Sequence, residues 1–399
     1  MIDAKFYTAD GFTDTLPGIC AFKKQTERKL EELFRLHGYS QIETPGIEYL
    51  DIYSRPGFVP EQNLYKMTDQ KGRLLALRYD GTIPAVRYAA GIKDFDPASL
   101  PLRLCYIENM FRFADSGGGK QNEFTQAGVE LMGADGPDAD AEVIALAIKS
   151  ALSAGIRDLQ ISIGQVRLYD GIAKQVGLSD TDREVIRNAI SSRDTVTIEK
   201  TCDQLGLDKD QKELLLMLPD AQGTYDIIDD FRAKVTEKEA LDALDNLKDI
   251  LDALDEQGFL KYVSVDSGLL GGSIDYYTGV IFKGYTYEVG FPIISGGRYD
   301  NTVAVFGRQM GCVGFSLSLT LTLTALLRQG VSMNETPCDV VIGFKNGFRG
   351  KAYEEAKKLR DEGLAVIIDT TGKSKDELNE YAGKQGIGRA LYVEGGVRC

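Results

Sequence analysis

The sequence predicts an α+β protein: a long mixed domain carrying an acidic helical insertion, followed by a small C-terminal α/β domain. Three observations predict it. β-branched and aromatic runs broken by glycine and proline recur between residues 39 and 132, and again between 261 and 318. Between them, residues 179 to about 257 place leucines at helical spacing among many acids. After residue 338, strand and helix patterns alternate, as in a parallel sheet. The expected boundaries are 1–325 for the first domain, 326–338 for a linker and 339–399 for the small domain.

The elements follow in order. Residues 20–37, "CAFKKQTERKLEELFRLH", set Phe22, Leu30, Leu33 and Phe34 on one helical face, and Gly38 stops the helix. His37 falls in the last turn, where a cation is favoured. "YSQIETPGIEYLDIY" reads as a short strand stopped near Pro45. "LYKMTDQKGRLLALRYDGTIPAVRYAA" reads as two strands around a turn, then a helix from about Thr82. "LRLCYIENMFRFA" and "NEFTQAGVELMG" form a hairpin with "DSGGGKQ" as a long tip. A helix from Asp138, the strand "LQISIG" and a second helix precede the insertion. "KYVSVDSG", "TGVIFKGYTYE" and "FPIISGGRYD" restore strand character, and "GCVGFSLSLTLTLTALL" turns from strand to helix.

Composition excludes several classes. No stretch offers 18 uninterrupted apolar residues, and the N-terminus lacks a basic segment followed by an apolar one, so a cytoplasmic protein without a membrane span is expected. Six cysteines are scattered without a CxxC pair, and there is one histidine, so neither a zinc site nor a His-based nucleophile is expected. Nothing in the chain calls for a cofactor. The net charge is −14, and residues 201–260 hold 16 Asp and Glu against 6 Lys and Arg. Such a surface repels a phosphate backbone and argues against nucleic acid as a partner.

The candidate site lies in "MFRFADSGGGKQNEFTQAGVELMG", residues 110–133. An arginine after an aromatic, a glycine loop and polar residues in a β run suit an anionic, nucleotide-like ligand. Gln126 and Glu130 alternate with Ala127 and Val129, so they share one face, either of a pocket or toward solvent. Arg112 suits ligand contact or a structural ion pair with Glu130. Asp80 and Thr82 suit a helix cap, a ligand site, or both. Tyr276 and Tyr277 point to opposite faces if their segment is a strand. The glycine loop lacks the phosphate-loop spacing, which favours a hairpin tip.

These stretches, in order, resemble class II aminoacyl-tRNA synthetases, histidyl-tRNA synthetase most of all. "GFTDTLPG" resembles that family's opening segment, and "HGYSQIETPGIE" its first motif, with Pro45 at the motif proline. "LALRYDGTIPAVR" resembles its "LRPEGT" segment, and residues 110–133 resemble its second motif. "GGSIDYYTGVIF" and "SGGRYDN" resemble its histidine-specific segments, and "GCVGFSLSLTL" its third motif. Residues 11 to about 325 are covered, and the C-terminal domain resembles a shortened anticodon-binding domain.

The resemblance implies an antiparallel sheet with a helical insertion, and a pocket for histidine. It assigns Asp80, Thr82, Gln126 and Glu130 to an ammonium group, Arg112 to a carboxylate, and Tyr276 and Tyr277 to an imidazole. Three positions depart from an active synthetase. Thr320–Leu321 replace a glutamate–arginine pair, Ala114 replaces an acid, and Gly272 replaces an arginine. Losing such groups removes stabilisation of developing charge, so no catalytic residue is expected. A synthetase-like chain that keeps amino-acid contacts and loses ATP contacts resembles the regulatory subunits of ATP phosphoribosyltransferase. That resemblance implies a short catalytic partner chain, a hetero-octamer, L-histidine as feedback ligand and a role in the first step of histidine biosynthesis. It also implies a homodimer through the class II core, with residues 22–34 and the strand before Pro45 as the interface. The alternatives are an active histidyl-tRNA synthetase and a pseudo-synthetase adaptor.

Overall fold

The structure, a computed structural model, describes residues 7–55, 58–92, 96–113, 121–271, 277–333 and 338–395. It divides into two compact units, one of residues 1–15 with 22–332 and one of 16–21 with 333–399.

The first helix, α1 (Pro17–Leu36), buries Leu30 and Phe34 and ends at Gly38, whose φ of +80° suits a residue without Cβ. His37 lies just beyond it. Its Nδ1 meets Leu33 O at 2.8 Å and its Nε2 meets Lys149 Nζ at 3.1 Å. Both ring nitrogens are thus engaged, which gives His37 a structural place at the end of α1, where Arg35 is the basic residue of the last turn.

The single strand expected after Gly38 is two strands in two sheets. β1 (Ser40–Gln41) pairs in parallel with a strand of the main sheet. β2 (Ile47–Tyr49), β3 (Lys66–Thr68) and β4 (Leu74–Leu77) form a separate antiparallel sheet in the order β2-β4-β3. The break falls at Thr44–Pro45. Pro45 lacks a donor, and Thr44 donates its N–H to Glu108 at 2.7 Å. Arg78 ties this corner down: it donates to Thr44 O at 2.6 Å and Asn109 O at 2.9 Å, and pairs with Glu108 at 2.7 Å.

Next come α2 (Thr82–Ala90), β5 (Leu102–Phe111), β6 (Glu123–Met132), α3 (Pro137–Ala154), β7 (Leu159–Gln165) and α4 (Val166–Gln175). α3 starts with proline at its first turn and stops at Gly155, φ +107°. The insertion is helical: α5 (Asp180–Ser191), α6 (Thr195–Leu205), α7 (Lys209–Met217), the two-residue β8 (Gln222–Gly223), α8 (Tyr225–Arg232) and α9 (Lys238–Glu256). Leu244, Leu247, Leu251 and Leu254 of α9 are buried, so its leucine spacing marks packed core. β9 (Val263–Asp266), β10 (Val280–Thr286), β11 (Ile294–Arg298), α10 (Asp300–Ala304), β12 (Cys312–Ser318) and α11 (Leu319–Arg328) complete the unit.

The main sheet has nine strands in the order β1-β5-β6-β12-β11-β10-β7-β9-β8. It is antiparallel except at β1–β5 and β7–β9. Register sorts its faces. Val129, Phe315, Gly296, Phe282, Ile163 and Val265 lie directly opposite one another across six strands. α3 packs on this sheet and on α9, and the core side chains of both are buried. One residue along each strand, the other face carries Gly128, Ser316, Ser295, Lys283, Ser162 and Ser264. Period two thus separates a packed face from a polar one.

In the second unit, β13 (Val340–Phe344), α12 (Arg349–Asp361), β14 (Val366–Ile368), α13 (Lys375–Gln385) and β15 (Arg389–Val393) form a parallel sheet in the order β14-β13-β15. Two apolar clusters, one including α12 and one α13, take alternate residues of β13. "TTGKSKDE" is a loop and helix start: Asp369 accepts from Thr371 and Lys373, and Ser374 with Glu377 makes a capping box.

Candidate functional site

The polar face of the sheet carries a cavity of about 490 Å³, within the size that encloses small molecules. Asp80, Thr82, Arg112, Gln126 and Tyr277 all line it. Glu130 lies on the same face of β6 as Gln126 but is fully buried beneath the lining. Tyr276, Ala114 and Gly272 lie outside the described residues, as does most of the "DSGGGKQ" tip.

Asp80 sits at the junction of β4 and α2. One oxygen accepts the Ile83 N–H at 3.2 Å, in the first turn of α2. The other is buried and has no hydrogen-bond partner. Burial raises the Asp80 carboxyl, and Arg112 opposes that rise. Gln126 donates to Ser316 Oγ at 3.3 Å, while its Oε1 is likewise buried without a partner. Arg112 is fixed by its Nε bond to Tyr79 O at 3.1 Å and lies over the Tyr79 and Phe124 rings, 4.4 and 5.0 Å from their centroids. No ion pair joins Arg112 to Glu130 among the described residues.

Glu130 forms the floor. It accepts from Tyr106 OH at 3.3 Å and from Tyr299 OH. Burial, above all, pushes its carboxyl up to about 8; Tyr299, Thr82 and Tyr106 pull it down, and the Asp80 charge pushes it further up. Space for this floor comes from missing side chains. A Cβ on Gly128 would lie 2.5 Å from Tyr106, one on Gly81 2.1 Å from it, and one on Gly314 1.9 Å from Glu130 Oε2. Gly297 is equally crowded, its Cβ position 2.7 Å from the Tyr277 ring.

Tyr106 and Tyr299 are the site residues that motif spacing misses. Their signal was indirect, in glycines placed inside strands where a large neighbour needs room. The other end of the cavity is lined by Ser318, Thr320, Leu321 and Thr324. Thr320 Oγ1 accepts the Thr125 N–H at 3.0 Å, so its side chain ties α11 to the main chain of β6. Arg328, one turn beyond Thr324 on α11, also lines this end and donates to Glu288 O at 2.7 Å. Among the described residues no cluster of His, Cys, Asp and Glu is set to hold a metal, and no helix is long and apolar enough to cross a membrane.

A raised native carboxyl gives a definite pH sign. Glu130 is protonated more readily in the folded chain than in the unfolded one, so its contribution is complete below about pH 4.5 and is lost as pH rises through about 8. Thermal unfolding at pH 6 and pH 8, wild type against Glu130→Gln, is expected to show a smaller loss of melting temperature at the higher pH in the variant. Equal losses in both chains would refute the assignment.

An antiparallel class II sheet, a helical insertion and a pocket on the polar face define a class II aminoacyl-tRNA synthetase-like protein. The histidyl-tRNA synthetase family model matches residues 11–321. An ATP phosphoribosyltransferase regulatory subunit of Acetivibrio thermocellus is 41% identical over 98% of this chain and 94% of its own length. That of Ruminiclostridium cellulolyticum is 37% identical over 98% and 92%. A crystal structure from Bacillus halodurans, described as an ATP phosphoribosyltransferase regulatory subunit/histidyl-tRNA synthetase, superposes with a TM-score of 0.87 at 31% identity, covering 98% and 99% of the two chains. The chain belongs to the family of ATP phosphoribosyltransferase regulatory subunits, and its role is regulatory rather than catalytic.

Proposed function

We propose that this chain binds L-histidine in the cavity over Glu130 and conveys feedback to a short ATP phosphoribosyltransferase catalytic chain, at the first step of histidine biosynthesis. The supporting observation is the pair of buried acceptors without partners, Asp80 Oδ2 and Gln126 Oε1. Orphaned buried acceptors are costly, and a ligand ammonium supplies the donors they lack. Arg112, immobilised between two rings, suits the ligand carboxylate. Tyr277 supplies an aromatic wall for an imidazole.

Feedback requires histidine to bind one state of the assembly more tightly than the other. In this proposal two copies of the chain pair through α1 and the strand before Pro45, and the pair joins catalytic chains in a hetero-octamer.

The test mixes the purified chain with a short catalytic chain. Expected are a complex in sedimentation, phosphoribosyl transfer that needs both chains, and its inhibition by histidine. No association, together with no change in the catalytic chain's activity, sinks the proposal.

A further inference from the structure

Asp80 and Glu130 are both buried, and Tyr106 joins their surroundings: its ring packs against Gly81, the residue after Asp80, and its hydroxyl donates to Glu130 at 3.3 Å, so the charge of one carboxyl acts on the other. The titratable groups facing Glu130 are Tyr106 from β5, Tyr299 after β11 and Cys312 from β12, and its charge also reaches Tyr39 after α1. None of them is a cation. Thr82 faces it from α2 with a hydroxyl. Arg112 is the cation that acts on Asp80, and Asp80 still keeps one buried oxygen without a partner. Two acids at this depth cannot both carry charge against one arginine, so the pair retains a proton.

We propose that a ligand ammonium entering beside Asp80 expels the proton held by the Asp80–Glu130 pair, so that amino-acid binding is coupled to proton release. The proposal rests on the amino-acid reading of the cavity and adds its regulation by pH. An ammonium within hydrogen-bond reach of Asp80 Oδ2 supplies the second positive charge, and both carboxylates then ionise. The expelled proton belongs to the pair and passes to solvent; no bond other than O–H is broken. Binding that releases a proton tightens as pH rises, by up to about tenfold per unit, until the free pair has lost its proton.

The experiment is calorimetric titration of L-histidine into the full chain near pH 7, in phosphate, Hepes and Tris buffers. The slope of binding enthalpy against buffer ionisation enthalpy counts protons. Release of about one proton per chain is expected for the wild type. Glu130→Gln, and independently Asp80→Asn, should reduce the count toward zero. Imidazolepropionate, which lacks the ammonium, should release none. An enthalpy identical in all three buffers overturns the coupling and leaves the amino-acid reading standing. Release by imidazolepropionate overturns the ammonium as trigger. No binding heat in any buffer, with no retention in equilibrium dialysis, overturns both.

Discussion

Arg298→Met is expected to cost about 3–5 kcal/mol of folding stability, the usual penalty for leaving a buried charge without its partner. Arg298 is nearly buried and Asp140 is 1% exposed. The guanidinium meets Asp140 at 2.7 and 2.9 Å, Asp300 at 3.1 Å and Ala134 O at 3.2 Å. Asp300 in turn accepts the Cys312 N–H at 2.8 Å. One side chain thus joins the first turn of α3 to β11 and β12. Burial already lifts the Asp140 carboxyl to about 6 with Arg298 in place, and removing the arginine lifts it further. The loss should therefore be smaller at acid pH, where the folded chain holds Asp140 protonated with or without the arginine, and larger above about pH 6, where only the variant still has to keep the proton. Urea unfolding at pH 5 and pH 8 measures this, and a midpoint equal to wild type at pH 8 would disprove it. The double change Arg298→Met with Asp140→Leu should recover part of the loss, because it removes the stranded charge as well.

Asp80→Asn is expected to weaken histidine binding by about ten- to a hundredfold while moving the melting temperature little. The asparagine oxygen can still accept from Ile83 N–H, so the first turn of α2 keeps its cap. What disappears is the charged acceptor for the ammonium, and hydrogen bonds to charged groups are worth about 1.5–3 kcal/mol. Calorimetric titration together with thermal unfolding separates the two effects. Unchanged affinity would remove Asp80 from the site. A large fall in melting temperature with normal affinity would make it a helix cap and nothing more.

Much of this was legible in the sequence. The hairpin of β5 and β6, the acidic helices from Asp180 to Glu256 and the strand-to-helix change near Ser318 each follow from a clean period and a clear stop. The shared face of Gln126 and Glu130 follows from alternation. Alternation does not reveal depth, and Glu130 proved to lie one layer under the cavity, where Tyr106 and Tyr299 donate to it. Nor does it reveal sheet membership: Ser40–Gln41 and Ile47–Tyr49 read as one strand, yet Arg78 and Glu108 hold the corner that sends them to different sheets. His37 reads from the sequence as a structural residue at a helix end. Its contact with Lys149, 112 positions away in sequence, leaves no trace in local pattern.

Thr320 serves two structures at once. Its hydroxyl holds a main-chain amide of β6 at a position where a nucleotide-binding relative needs an acid. The side chain thus belongs to the frame of the molecule as well as to the cavity wall. Restoring the acid would first remove a support, before any nucleotide contact is gained. Thr320→Glu would therefore do two things at once, removing a tether of the β6 main chain and placing a charge in the cavity wall.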